Sequence, residues 1–322
     1  MKSSLAALAA FLALSGNASA QTFPTRPLTM VIPFAAGGPT DVLGRVVGAR
    51  MGQVLGQQIV IENIGGAGGQ TGSKRVAMAR PDGYNFVVGT VGTHAQSQTL
   101  YKKPLYNAVT DFTPVALIAE VPIVLIARHD LPVTNLREFI AYAKANQKTM
   151  QFGSAGAGSA THLGCVVLNT AMGTTITHVP YRGTGPAMQD LVAGRIDFLC
   201  EVISTAKAQI EGGKVKALAI MTKERSPVLP DLPTSAEQGL DVQAYTWNAI
   251  FLPKGASAAV VNKLHDAALA AMHTPAVKDR LQSLGASIVA DDRATPGYLA
   301  GFVKSEIAKW AAPIKASGVS AD

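Results

Sequence analysis

Short stretches rich in Val and Ile alternate with amphipathic helical patterns along nearly the whole chain. This alternation restricts the fold more than any other feature. Apolar runs at 28–32, 58–61, 85–88, 115–118, 123–127, 176–179 and 217–221 are predicted as strands. Between them, Leu43, Val47, Met51 and Val54 fall on one helical face, as do Leu136, Phe139, Ile140 and Ala143, and again Leu163, Val166, Val167 and Thr170. A strand, a covering helix and a further strand form a right-handed crossover, and repeats of that unit build a largely parallel sheet. The chain is therefore expected to be α/β.

A chain of 322 residues exceeds what one hydrophobic core usually organises, so two domains are expected. No internal repeat or low-complexity linker marks a boundary. Two extended stretches, 115–127 and 242–252, are the candidates for crossing between lobes. They place 21–122 with 247–322 in lobe I and 123–246 in lobe II. Towards the C-terminus, Thr274-Pro275 and Thr295-Pro296 each set a capping hydroxyl before a first-turn proline. Val277, Leu281 and Leu284 then form one stripe, and Leu299, Phe302, Val303 and Trp310 another. This helical layer is expected to be packing and carries no assigned chemistry.

The first residues point to export. Lys2 precedes an apolar run from Leu5 to Leu14, and Ala18-Ser19-Ala20 has the small-x-small form that a signal peptidase reads. Residues 1–20 are thus expected to be a signal peptide cleaved after Ala20. The apolar run is too short for a membrane span of roughly 20 residues. No Cys stands near the cleavage region to take a lipid, so a free periplasmic protein is expected. Loss of Lys2 takes the formal charge from +7 to +6, and the basic residues form no run, which argues against a nucleic-acid partner. Cys165 and Cys200 are the two thiols of the chain. In an oxidising compartment a disulfide between them is expected, the alternative being two buried apolar thiols.

Four turns rich in Gly or hydroxyls follow predicted strand ends, where α/β sheets place ligands. They are 33–41, 89–94, 153–161 and 181–185. The third, Gly153-Ser154-Ala155-Gly156-Ala157-Gly158-Ser159, leads straight into the helix carrying Leu163 and Val166. Free N–H groups and the positive end of a helix dipole suit a carboxylate or phosphate there without an Arg. Any single turn of this kind is explained by a tight βα connection, and the repetition is what favours a site. Asp41 is expected to complement its own helix dipole and not to touch a ligand. Phe34 is placed either as an apolar floor of the pocket or in the core. His94 is either a donor into the pocket or a solvated loop side chain.

Enzyme motifs are weak, and neither a cofactor nor a metal is expected. Residues 65–72 miss Gly-x-Gly-x-x-Gly because Ala67 and Thr71 occupy required positions. Around Ser154 the nucleophile elbow fails at Phe152. His162 with Cys165 is a lone pair and no zinc framework.

In their order along the chain, these segments resemble the tripartite tricarboxylate transporter receptors, also called Bug solute-binding proteins. The resemblance is carried by Pro33-Phe34-Ala35-Ala36-Gly37-Gly38-Pro39-Thr40-Asp41, by Glu62-Asn63 with Gly66-Ala67-Gly68-Gly69, and by Pro81-Asp82-Gly83-Tyr84. It continues in the Gly153 to Ser159 turn, in His178-Val179-Pro180-Tyr181-Arg182-Gly183 and in Leu232-Pro233-Thr234-Ser235-Ala236-Glu237. It implies two Rossmann-like lobes that close like a Venus flytrap on a small carboxylate, held largely by main-chain N–H groups and hydroxyls. It implies ligand contacts from Phe34, Gly38 and Thr40, from Thr90, Thr93 and His94, and from Ser154, Gly156, Ala157, Ser159 and Thr161. Where many relatives carry Asp, this chain has Glu201, also a candidate contact.

The expected function is capture of a dicarboxylate or aromatic carboxylate for a membrane transporter, by a monomer without catalytic activity. The alternatives are an orphan receptor that signals to a membrane sensor, or an enzyme on the same fold.

Overall fold

The computed structural model describes residues 23–321. The expected signal peptide, 1–20, lies outside them. Strands β1 (Leu28–Ile32), β2 (Ile59–Asn63) and β3 (Asn85–Thr90) alternate with helices α1 (Pro39–Leu55) and α2 (Gln70–Ala77). A π-helical turn, Gly92–Gln96, continues into α3 (Ser97–Leu100). The long strand β4 (Phe112–Arg128) leads to α4 (Leu136–Asn146), β5 (Gln151–Ser154), α5 (Ala160–Met172), β6 (Thr177–Pro180) and α6 (Thr184–Val192). Then come β7 (Phe198–Val202), α7 (Ile203–Glu211), β8 (Val215–Ile220) and β9 (Tyr245–Pro253). The chain finishes with α8 (Ala258–His273), α9 (Pro275–Ser283), β10 (Ser287–Ile288), α10 (Asp291–Ala294) and α11 (Pro296–Ala316).

The alternation read from the sequence is the architecture: an α/β fold whose strands run in the order β2-β1-β3-β9-β4-β7-β5-β6, with β8 and β10 also paired to β4. Strands β1, β2 and β3 are mutually parallel, as are β5, β6 and β7. The helix α1 shows why this happens locally. Its Leu43, Val47 and Met51 are buried, each burial being worth about 1.5–3 kcal/mol.

Two strands predicted at 115–118 and 123–127 are one. The 17-residue β4 first pairs with β9, up to Pro122 opposite Tyr245. From Ile123 onward it pairs with β7 and β8. Pro122 sits where the strand changes partners, so its missing N–H interrupts no continuous ladder. The predicted strands elsewhere shift by one or two residues, the usual uncertainty of element ends.

Cys165 on α5 and Cys200 on β7 form a disulfide, with Cα atoms 5.4 Å apart. In the C-terminal layer, Thr295 caps α11 by accepting from the Tyr298 amide (3.2 Å). Thr274 does not cap α9, although the Thr-Pro pattern is the same. It also ends α8, and its hydroxyl donates to Ala270 O (2.8 Å) in that preceding helix. The buried Glu306 of α11 accepts from Trp247 Nε1 (3.0 Å) and Tyr245 Oη (2.8 Å), tying this layer to β9.

Candidate functional site

The turn after β1 is built by Asp41 and Asn63. Asp41 Oδ2 accepts from the Gly37 amide (3.0 Å) and Arg45 Nε (3.0 Å), while Asn63 Nδ2 donates to Asp41 Oδ1 (2.9 Å) and to Phe34 O (3.1 Å). Burial pushes the Asp41 pKa up, but the bonds from Arg45, Gly37 and Asn63 together hold it below its ordinary value. This carboxylate is committed to the turn, and it leaves the start of α1 without a side-chain cap.

The turn after β5 is braced from behind. Ser154 Oγ accepts from the Gly156 amide (3.0 Å) and lies 2.6 Å from His178 Nε2. His178 faces His162 with ring centroids 4.1 Å apart, and His162 Nδ1 accepts from the Gly158 amide (3.2 Å). Burial pushes the pKa of His162 down to about 3 and that of His178 to about 4, so both are neutral braces near neutral pH. Ser159 caps α5: its hydroxyl accepts from the His162 amide (3.2 Å) and donates to Gly156 O (2.7 Å).

These turns enclose a small cavity of about 30 Å³. Its walls are Phe34, Gly38, Pro39 and Thr40 from the first turn, Thr90 from the end of β3, and Ala155, Ser159, Ala160 and Thr161 from the third. Thr184, Val202 and Thr246 complete it. Six of these residues carry hydroxyls and none is charged. The starts of α1, α5 and α6 lie on the wall through Pro39, Ala160 and Thr184, and Val202 is the residue before α7. Four positive dipole ends and their free N–H groups thus converge on one space, an arrangement suited to an anion. A larger groove of about 1190 Å³ lies elsewhere, among Lys223, Glu224, Lys278 and Ser287. It mixes charges of both signs and gathers no comparable set of helix starts.

Of the residues expected from the sequence, Phe34, Gly38, Thr40, Thr90, Ser159 and Thr161 line the cavity. Ser154, Gly156 and Ala157 stand in the layer that shapes the third turn. Thr93 does the same for the second, its hydroxyl accepting from the Thr90 amide (2.9 Å). His94 is neither solvated nor on the wall. It is fully buried, stacks on Phe251 with centroids 4.0 Å apart, and burial pushes its pKa down to about 3. Glu201 is also fully buried and touches the wall through Thr184, whose Oγ1 donates to Glu201 Oε1 (3.1 Å). The wall residues not anticipated were Pro39, Ala155, Ala160, Thr184, Val202 and Thr246. Thr184 had a signal, since it lies within the fourth Gly-rich turn. Thr246 and Val202 had none, because only tertiary folding brings their strands to this cavity.

The two halves of the sheet meet here through a main-chain bond and a tyrosine hydroxyl. The Ala35 amide donates to Arg182 O (2.9 Å), and Tyr101 Oη donates to Ala157 O (2.9 Å). A Cβ on Gly92 would lie 2.9 Å from Ala160 N and Gly158 O, and one on Gly68 would overlap Ala157 O. Glycine at these positions permits the approach.

Comparison with known proteins agrees with this geometry. The family model described as "Tripartite tricarboxylate transporter family receptor" matches residues 43–319. An Agrobacterium vitis protein, the UPF0065 protein in the TAR-I ttuE-ttuC' intergenic region, is 42% identical over 298 residues, covering 92% of this chain and 86% of the relative. The structure of the periplasmic binding protein BugD superposes with a TM-score of 0.90 at 40% identity, covering 92% of this chain and 99% of that one. MatC from Rhodopseudomonas palustris with bound malate gives a TM-score of 0.88 at 42% identity, over 91% of this chain and 100% of its own. A second R. palustris protein, with adipate, gives 0.87 at 34%, over 92% and 99%.

Proposed function

The chain belongs to the tripartite tricarboxylate transporter receptor family, and on that premise we propose that it is a periplasmic solute-binding protein which captures a small organic dicarboxylate and delivers it to a membrane transporter. The observation that carries the ligand class is the convergence of four helix starts and six hydroxyl-bearing residues on a cavity with no charged side chain on its wall. Such a wall stabilises carboxylates through oriented N–H groups and through those hydroxyls whose protons are not already given to the chain. Malate in MatC and adipate in the second R. palustris protein are diacids of different length, which supports the class without fixing the member. The periplasmic assignment is supported by the BugD likeness and by the N-terminal leader pattern; no helix among the described residues is long and apolar enough to cross a membrane.

The same reading makes the two sheet halves the moving lobes, 21–122 with 247–322 against 123–246, with β4 and β9 as the strands that cross. A thermal-shift screen across aliphatic and aromatic mono- and dicarboxylates tests the proposal. A cognate diacid at 100 times its Kd is expected to add about 2.7 kcal/mol of stability. Absence of any shift with every organic acid at millimolar concentration would remove the carboxylate reading.

A further inference from the structure

The hydroxyls on the cavity wall are not equivalent donors. Thr40 Oγ1 has no hydrogen-bond partner among the described residues, and Thr90 Oγ1 accepts from the Thr93 amide (3.3 Å) with only a 3.5 Å approach to Thr93 Oγ1, so each can turn a proton to a carboxylate. Thr184 is the opposite case. Its Oγ1 donates to Glu201 Oε1 (3.1 Å), and the same oxygen receives the Val202 amide (3.0 Å) and Thr205 Oγ1 (2.8 Å). Burial pushes the Glu201 pKa up to about 7, so both protonation states occur near neutrality. In the neutral form the proton rides on Oε2, because the oxygen that receives three donors is the better acceptor. Thr184 therefore gives its one proton to Glu201 in either state, and only lone pairs remain for the cavity. That oxygen does reach across the cleft: a Cβ on Gly38, at the start of α1, would lie 3.6 Å from it.

A carboxylate is a poor neighbour for such a group, since an acceptor would face an acceptor. We propose that Glu201 fixes Thr184 as an acceptor-only group on the wall, so that the site selects a dicarboxylate bearing its own hydrogen-bond donor, a hydroxyl or an ammonium, over the plain diacid of equal length. Glu201 acts here as a positioning residue and Thr184 as the contact. The inference rests on the carboxylate reading above and adds the substituent that the ligand carries.

Calorimetry on the exported chain with malate, aspartate and succinate tests it, because these share a four-carbon diacid backbone and differ in the donor. The wild type is expected to bind malate or aspartate at least about tenfold more tightly than succinate, the worth of one well-placed hydrogen bond. Thr184→Val should reduce that ratio to within about twofold, and Thr184→Ser should restore it. Glu201→Gln retains an acceptor oxygen and should preserve the preference, whereas Glu201→Met releases the Thr184 proton and should abolish it. Should Glu201→Met fail to fold, the Thr184→Val result decides. Equal wild-type affinities for all three acids, or a preference that survives Thr184→Val, would overturn the inference and leave the carboxylate reading standing. Binding of no organic acid at all would overturn that reading first and this inference with it.

Discussion

Ser159 and His178 show how polar side chains beside a binding cavity can serve its shape. Ser159 sends its proton to Gly156 O and receives the His162 amide, so its main contribution is the cap on α5, an interaction worth roughly 0.5–2 kcal/mol. His178 holds Ser154, and His162 holds Gly158, with both rings neutral because burial penalises their charged forms. Acid should therefore act through these residues. The unfolded chain takes up protons on His below a pH of about 6.5, whereas the folded chain resists until pH falls to about 4 at His178 and about 3 at His162 and His94. Their contribution to stability is full above pH 6.5 and is lost progressively as pH falls towards 3. Glu201 has the opposite sign. Its folded pKa is raised to about 7, so its contribution is present below about 4.5 and fades as pH rises through 7. Three histidines outweigh one carboxyl, and urea midpoints should fall between pH 6.5 and 4. Replacing His178 with Gln should flatten that slope, and an unchanged slope would exclude His178 as a cause.

At the scale of elements, the π-helical turn after β3 and the start of α5 approach through bare backbone at Gly92. This residue has no positive φ, so an alanine there is free of conformational strain and meets only the opposite half of the sheet. Its Cβ would stand 2.9 Å from Ala160 N, Gly158 O and Ser159 Cα, and main chain yields less readily than a side chain. Overpacking of this kind costs about 1–3 kcal/mol. The cost falls on the form with the halves apposed, so Gly92→Ala should weaken ligand binding about tenfold or more while leaving the ligand-free melting temperature of an opened protein nearly unchanged. Calorimetry beside a thermal melt separates the two effects. Equal affinity for wild type and Gly92→Ala would show that this contact is not part of the bound form.

On the proposed carboxylate reading, the whole molecule opens for the site to be used. A cavity of about 30 Å³ has room for little more than one water, far below the 300–1,000 Å³ of usual ligand pockets. On that reading, the main-chain bond from Ala35 to Arg182 and the Tyr101 to Ala157 bond are the contacts expected to part as a diacid enters and to re-form around it. The strands β4 and β9, which run side by side from Phe112 opposite Pro253 to Pro122 opposite Tyr245, are the continuous structure about which such a hinge can bend. Solution scattering should give a larger radius of gyration for the ligand-free protein than for the protein saturated with a cognate diacid. Superimposable curves would instead indicate a cleft that stays closed and admits ligand by local loop motion.

The sequence by itself determined the sheet-and-helix alternation and the Gly-rich turns at strand ends, which rest on local periodicity and on backbone conformations that glycine allows. It made pairing of Cys165 with Cys200 the expectation for an exported chain, and tertiary structure decided it by bringing the two Cα atoms to 5.4 Å. Tertiary structure alone decided which hydroxyls face the cavity. Thr184, which opens α6, and Thr246, in β9, are 62 residues apart and line the same cavity, a relation no local pattern records. It also decided that His94 belongs to the core, since stacking on Phe251 requires β3 and β9 to pair with Val87 opposite Phe251. The direction of the Thr184 proton was likewise invisible beforehand. It depends on a carboxyl 17 residues further on, buried where α6 and α7 begin, and only the packing of those helices on β7 brings the two oxygens within 3.1 Å.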